Sequence, residues 1–395
     1  MDTINLINRI KYSKFLYKCY LWCGSLMVYV LKKSLKTDNK LILFASYSGK
    51  RYDDTPRDMY EAMIHDSRFD DYKIVWAFMN PEKFPMPQCE KIEINSLKYL
   101  ITALKARVWI TNVNMTRGLG FKGINTLRFN SWHGTAVKYI GADIKSNNET
   151  FVLKNESDLA DIMIAQGRYD QQIYSRAFKL PKEKVFITGF PRNDSLVTNN
   201  TKEYITKIKE KLNIDPNKQV ILYAPTYRDF EKDDGNNCVL RPPFDISKWK
   251  EQLSDKYILL IRAHQEVVNV LDVNEDEFVR NLSLYPELND ILLITDILIS
   301  DYSGILFDYS ILGRKIYCYT YDYDRYEKER GMYIDVRKDL PSYDKENDLL
   351  AAIKNEKDNS VQEAVLKFRE KYIEKYGNSA QRANDVIFEE MKGLK

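Results

Sequence analysis

The chain has 395 residues, 44% of them hydrophobic, and its 60 basic and 57 acidic residues leave a formal net charge of +3. That length is too great for one ordinary core and implies two domains, while the near balance of charge argues against a dedicated nucleic-acid binder. Cys19, Cys23, Cys89, Cys238 and Cys318 are scattered without a C-x-x-C pair, which points to a reducing compartment without structural zinc, and no stretch reaches the roughly 18 uninterrupted apolar residues of a spanning helix.

Residues 1–36 are the compositional outlier. Arg9, Lys11, Lys14 and Lys18 precede an uncharged run from Cys19 to Leu31, and Lys32, Lys33 and Lys36 follow it. Phe15, Leu16, Leu21 and Trp22 supply apolar surface beside the lysines, so the segment reads as an amphipathic helix lying on an anionic membrane surface. A helix packed on the protein's own surface would show the same stripe. A signal peptide fits less well, because no small-residue cleavage site follows and Lys18 interrupts the run.

From Leu41 an apolar strand, a polar loop and an amphipathic helix recur. Strands are predicted at Leu41 to Ala45, Lys73 to Phe78, Val108 to Thr111, Thr126 to Asn130, Ile162 to Ala165 and Val185 to Thr188. Helices are predicted from Pro56 through Ile64 and near Leu97 to Lys105. The turn Gly189 to Asp194 and the polar, lysine-rich stretch from Thr198 to Gln219 are the expected domain junction. A second series follows, with strands at Val220 to Tyr223, Tyr257 to Ile261, Leu292-Leu293, Ile297 to Ser300 and Ile316 to Tyr319. The loop Arg228 to Pro243 is long, charged and punctuated by Gly and Pro, and reads as mobile. After Asp335 the chain is expected to be helical, with Ser379 capping a helix from Ala380 to Met391. Strands apolar on both faces and alternating with helices indicate α/β domains with parallel sheets. The expected boundaries are a helix over 1–36, an N-terminal domain over 37–198, a C-terminal domain over 199–365 and terminal helices over 366–395.

Open parallel sheets bind ligands beyond the carboxyl ends of their strands, so polar residues that follow apolar runs are the candidates. His133 follows one such run and is trailed by Gly134 and Thr135; His264 follows another in the second half. Each could serve a cleft between the domains or be an ordinary structural imidazole, whereas His65 lies within a predicted helix and is assigned no function. In Ile297-Leu298-Ile299-Ser300-Asp301-Tyr302-Ser303-Gly304-Ile305 a strand turns into a helix, and the backbone amides of Ser303, Gly304 and Ile305 suit an anion. Gly304 would let such a ligand approach closely. A plain Ser cap is the alternative. Arg228, after Tyr223-Ala224-Pro225-Thr226-Tyr227, could clamp a phosphate or pair with Asp229 on the surface. The cluster from Tyr321 to Arg330 reads by default as a solvated charged face. No G-x-G-x-x-G or G-K-[ST] loop is present, so neither a dinucleotide site nor a P-loop is supported. No carboxylate cluster has metal-ligand spacing, although a magnesium ion held mostly by a diphosphate would leave no such trace.

Taken in order, Ser131-Trp132-His133-Gly134-Thr135, Gly189-Phe190-Pro191-Arg192-Asn193-Asp194, Tyr223 to Asp229, Ser300-Asp301-Tyr302-Ser303 and Tyr321-Asp322 through Glu329-Arg330-Gly331 resemble the motifs of CDP-glycerol glycerophosphotransferases, the teichoic-acid and capsule polymer enzymes of bacteria. The resemblance runs from about Leu41 to Asp335. It implies two Rossmann-like domains facing a cleft, of glycosyltransferase-B type, with the nucleotide held mainly by the second domain and the protein attached peripherally to the cytoplasmic face of the membrane. It also implies that glycerol phosphate passes from CDP-glycerol to a hydroxyl of a lipid-linked glycan or growing polymer, with no cofactor beyond a possible magnesium ion. His133 would be the general base and His264 a contact to the donor phosphates. Gly134, Thr135, Arg192, Asp194, Thr226, Arg228, Asp301, Ser303, Gly304, Asp308 and Arg330 would bind substrate. The family usually carries Pro where Ala136 stands, Ser at Gly304 and Pro at Gln265, which leaves the polyol and the acceptor open. Ribitol phosphate transfer, nucleotide-sugar transfer on the same fold and a non-catalytic assembly role are the alternatives, separable by release of CMP from a CDP-polyol.

Overall fold

The computed structural model describes residues 13–86, 88–116, 118–119, 121–144, 160–226, 228, 239–263, 269–270, 273–355 and 358–394. Two parallel sheets organise them. The first contains β1 (Asp38–Ala45), β2 (Lys73–Phe78), β3 (Glu90–Glu93), β4 (Ala106–Thr111), β5 (Leu127–Asn130), β6 (Ile162–Ala165) and β7 (Val185–Ile187), in the order β3-β2-β1-β4-β5-β6-β7. The chain then forms β8 (Gln219–Tyr223), β9 (Val239–Leu240), β10 (Tyr257–Ile261), β11 (Asn269–Val270), β12 (Val279–Asn281), β13 (Ile297–Ser300), β14 (Lys315–Tyr319) and β15 (Ser342–Tyr343). The second sheet runs β12-β10-β8-β13-β14-β15, and β9 pairs with β11 apart from it. Strands β4, β6, β10 and β13 are buried along their whole length, as expected where helices cover both faces of a parallel sheet.

Strand order reverses between β1 and β4 in the first sheet and between β8 and β13 in the second. Each reversal opens a crevice at the carboxyl ends of its strands. The two lobes thus each offer one such crevice.

The polypeptide crosses back at its end. The helix Ser379–Gly393 buries Ala383, Ile387 and Met391 in the core of the first lobe. Both of its ends are held there. The Asp194 carboxylate accepts from the amides of Ser379 (2.9 Å) and Ala380 (2.8 Å), and buried Arg107 of β4 donates to the carbonyls of Met391 (2.9 Å) and Leu394 (2.6 Å). An acid at a helix start and a cation at its end complement the helix dipole. The residue that opens this helix is Asn378, with φ +53°, and the expected cap at Ser379 is replaced by Asp194.

Three features differ from the expectation. Leu292-Leu293 lies inside the helix Leu288–Ile294, because a short apolar run fits a buried helix as well as a strand. Strands β3, β12 and β15 escaped notice because they sit at sheet edges, are two to four residues long and carry polar side chains. One of them, β15, interrupts the helical tail expected after Asp335.

The helix Lys14–Ser34 has two apolar faces. Val28, with Leu31, Leu35 and Leu119 beside it, packs into a first-lobe core cluster, and a Cβ at Gly24 would lie 2.5 Å from the Leu119 side chain. The opposite face leaves Phe15 73%, Trp22 70% and Tyr29 56% exposed, with Leu26, Met27 and Val30 nearby. One side of the segment therefore packs on the protein's own surface, and the other is exposed. Arg9 and Lys11 lie outside the described residues. Among the described residues no helix is long and apolar enough to cross a membrane.

Candidate active site

The first crevice gathers side chains from three strand ends. Asn112 follows β4, Tyr47 follows β1 and His133 follows β5. The Asn112 side-chain oxygen accepts from the Tyr47 amide at 2.8 Å, and its main-chain oxygen lies 3.4 Å from His133 Nδ1. A carbonyl only accepts, so this contact places the proton on Nδ1 and leaves Nε2 as the basic nitrogen. The Asn130 side chain accepts from the Trp132 amide (2.7 Å), and the Trp132 ring stacks on His133 with centroids 4.1 Å apart. Backbone strain concentrates here. Tyr47, Ser48, Asp54 and Trp132 are four of the seven described non-glycine residues with positive φ. Such conformations persist only where the surroundings over-determine them, and they cluster at working sites.

Burial pushes the His133 imidazole down to about 4, opposed by the negative charge of Asp54 and the contact to Asn112 and reinforced by Arg192 and Lys138. The ring is therefore neutral near pH 7, with Nε2 unprotonated. Burial alone would raise Asp54, but Arg192, the Tyr47 hydroxyl at 2.6 Å and the Thr55 amide at 2.6 Å hold it below its ordinary value and ionised.

The predicted residues Gly134, Thr135, Arg192, Gly304 and Asp308 come together where the lobes meet. Arg192, after β7, donates to the His133 carbonyl at 2.9 Å and pairs with Asp308, which lies in the helix Ile305–Ser310 of the second lobe. Asn193 donates to the other Asp308 oxygen at 2.7 Å. Gly134, at φ +126°, leaves room for the Arg192 guanidinium, which a Cβ would meet at 2.6 Å. A Cβ at Gly304 would lie 2.7 Å from the Thr135 carbonyl oxygen. The bare Cα at 304 therefore admits the other lobe's backbone, which corrects the expectation that it makes room for a ligand. The Thr135 hydroxyl is engaged by Gln166 (2.6 Å) and by buried Asp170 (3.1 Å), whose carboxyl is pushed up to about 7 by burial. Beyond Thr135 the chain pairs with the second lobe, Tyr333 donating to the Val137 carbonyl at 2.7 Å.

The second crevice is built differently. Arg228 is buried, and it donates to Asp301 at 2.9 Å, to the two Asp322 oxygens at 2.8 and 3.0 Å, and to the Thr226 carbonyl. The other Asp301 oxygen accepts from the amides of Thr226 (2.8 Å) and Tyr302 (2.6 Å). Arg228 is thus buried against two carboxylates of its own lobe, and Asp229 lies outside the described residues. Three of the Arg228 N–H groups go to the two carboxylates and one to the Thr226 carbonyl, and Asp301 orders the turn through the amides it accepts. Asp322, read as part of a solvated face, is the other half of this buried network. Ser303 is half-buried, and its hydroxyl accepts from the Ile305 amide at 3.3 Å, as a capping Ser would. Thr226 keeps a buried hydroxyl without a partner among the described residues. Arg330 is half-buried at the end of the helix Tyr323–Arg330. The Asp194 carboxylate is occupied by the amides at the start of the C-terminal helix.

His264 lies outside the described residues, as do Gln265, Tyr227 and residues 229–238 of the loop expected to be mobile. Tyr47, Asp54 and Asn112 surround His133 in the candidate site and were not singled out by sequence reasoning. Asn112 was within reach, since it follows a strand directly; Asp54 was not, because its position depends on a positive φ of 62°. Among the described residues no group of three or more His, Cys, Asp or Glu is placed to hold a metal ion.

Known proteins share both the sequence and this architecture. The chain is 35% identical over 371 residues to a teichoic acid glycerol-phosphate transferase from Staphylococcus aureus, covering 89% of this chain and 94% of that protein. It superposes on the wall teichoic acid polymerase TagF with a TM-score of 0.83 at 30% identity, covering 100% of this chain and 99% of that one. A TagF variant soaked with CDPG matches with a TM-score of 0.80 at 31% identity over 90% of both chains. The family model for CDP-glycerol:poly(glycerophosphate) glycerophosphotransferase matches residues 27–389, so the chain belongs to that family.

Proposed function

We propose that this protein transfers glycerol phosphate from CDP-glycerol to a hydroxyl of a growing teichoic-acid-type polymer or its lipid-linked primer. The acceptor oxygen forms a bond to the β-phosphorus, the bond from that phosphorus to the bridging oxygen breaks, and CMP leaves. The acceptor's proton goes to Nε2 of His133. The observation that carries this reading is the neutral, oriented His133 at the first crevice. A base must be unprotonated and aimed before it can take a proton in the transition state. Family membership supports the donor. The turn at Ser303 and Thr226 and the segment with His264 are the proposed donor side, where fixed amides and an imidazole would meet the diphosphate.

The exposed face of the helix Lys14–Ser34 is proposed to bind the anionic surface of the cytoplasmic leaflet. Trp22, Leu26 and Tyr29 would enter the interface while Lys32 and Lys33 meet headgroups. Pelleting with anionic vesicles tests it, and persistent binding by a Trp22→Glu, Leu26→Glu double variant would place the contact elsewhere. For the reaction, purified protein is incubated with a lipid-linked acceptor and CDP-glycerol, CDP-ribitol or a nucleotide sugar. CMP release from CDP-glycerol alone is expected, and turnover of only the nucleotide sugar would overturn the proposal.

A further inference from the structure

Asp54 and Tyr47 close a circuit around His133. Asn112 aims two members of it at once, taking the Tyr47 amide on its side-chain oxygen and His133 Nδ1 on its main-chain oxygen. The Tyr47 ring stands 6.2 Å from the imidazole, and its hydroxyl donates to Asp54 at 2.6 Å. Arg192 ties the far side, 3.5 Å from the same Asp54 oxygen and hydrogen-bonded to the His133 carbonyl. Among the described residues, the charged and titratable groups acting on the His133 imidazole include Asp54, Tyr47, Arg192 and Lys138, and Asp54 is the anion of that set.

Building on the reading of His133 as the base, we propose that Asp54 is a positioning residue whose fixed carboxylate stabilises the imidazolium formed when His133 takes the proton of the attacking hydroxyl. As the oxygen–phosphorus bond forms, the proton passes to Nε2 and positive charge appears on the ring. Arg192 and Lys138 oppose that charge and Asp54 compensates it. Tyr47 and the Thr55 amide occupy Asp54 as donors, so it stays an anion and takes no proton itself. The left-handed backbone at Asp54 turns its carboxylate toward this circuit at the very start of the helix Asp54–Met63.

The chain has only three histidines, so the imidazole resonances of the full-length protein can be assigned by single substitutions and titrated by NMR without substrate. His133 is expected to titrate near 4 in the parent. In Asp54→Asn, which keeps an acceptor for Tyr47, the midpoint should fall by roughly one unit or more; in Tyr47→Phe it should move less. With CDP-glycerol, Asp54→Asn should lose roughly tenfold or more in kcat with KM for the donor little changed. An unchanged or raised His133 midpoint in Asp54→Asn overturns the proposal, even if activity is lost. If that variant does not fold, Asp54→Ser, which also removes the carboxylate, is titrated in its place and decides in the same way. Absence of turnover in the parent would remove the proposed function and leave the titration result standing.

Discussion

The two crevices look alike in sequence and behave as opposites in the structure. Each lies where strand order reverses, and each is lined by polar residues that follow an apolar run. In the second lobe most of these groups satisfy one another: Arg228, Asp301 and Asp322 form a network with the Thr226 amide and carbonyl, and the Tyr302 hydroxyl reaches Asp322 at 3.1 Å, while the buried Thr226 hydroxyl has no partner among the described residues. In the first lobe several buried polar atoms are without partners among the described residues, including Asn112 Nδ2, Asn130 Nδ2, Arg192 Nε and Asp170 Oδ1, and the backbone is strained. Closed networks hold a turn in shape, whereas unpaired groups and strain mark where chemistry or a ligand is still to be accommodated. Residue type after a strand does not distinguish the two cases; the state of its hydrogen bonds does.

The largest expected effect is at the open crevice. His133→Ala should lower CMP release by roughly two to four orders of magnitude with donor affinity little changed. Loss of CDP-glycerol binding at an intact saturating rate would instead put His133 on the donor side. Arg228→Ala should act on stability, costing about 3–5 kcal/mol because two buried carboxylates lose their cation. Denaturant unfolding reads this directly, and a fully stable variant with impaired donor binding would return Arg228 to the phosphate site.

Between the lobes, Gly304→Val should cost about 1–3 kcal/mol by overpacking against Thr135, and Gly304→Ser should be destabilising too, since its Cβ meets the same backbone oxygen. An unaltered melting temperature for Gly304→Ser would show that the lobes part easily there. Asp170 makes the floor of the first crevice pH-dependent. Its folded value of about 7 exceeds the usual value near 3.9, so the protonated form is favoured on folding and its contribution is lost as pH rises between the two. Asp170→Asn, able to keep the Thr135 and Gln166 contacts, should gain stability relative to the parent across that interval and hold a constant difference above pH 7. Smallest is Asp194→Ala, at about 0.5–2 kcal/mol for a lost cap. Normal stability with impaired turnover would move Asp194 into the site.

Much of this molecule was legible in its residues. Apolar runs at Leu41 to Ala45, Val108 to Thr111, Val220 to Tyr223 and Ile297 to Ser300 specify fully buried parallel strands, because a strand covered on both faces needs no alternation. Ser131 to Thr135 and Ser300 to Ser303 mark strand ends, and strand ends are where such sheets bind ligands. Those signals are local, so the chain itself determines them. What it left open depends on which distant groups meet. Whether Arg228 serves a ligand or Asp301 and Asp322, whether Asp194 faces a cleft or caps a helix 185 residues on, and whether Gly304 admits a diphosphate or the Thr135 carbonyl were decided by contacts across the fold. A side chain has the same donors and acceptors in every setting, and only tertiary structure determines which of them remain free.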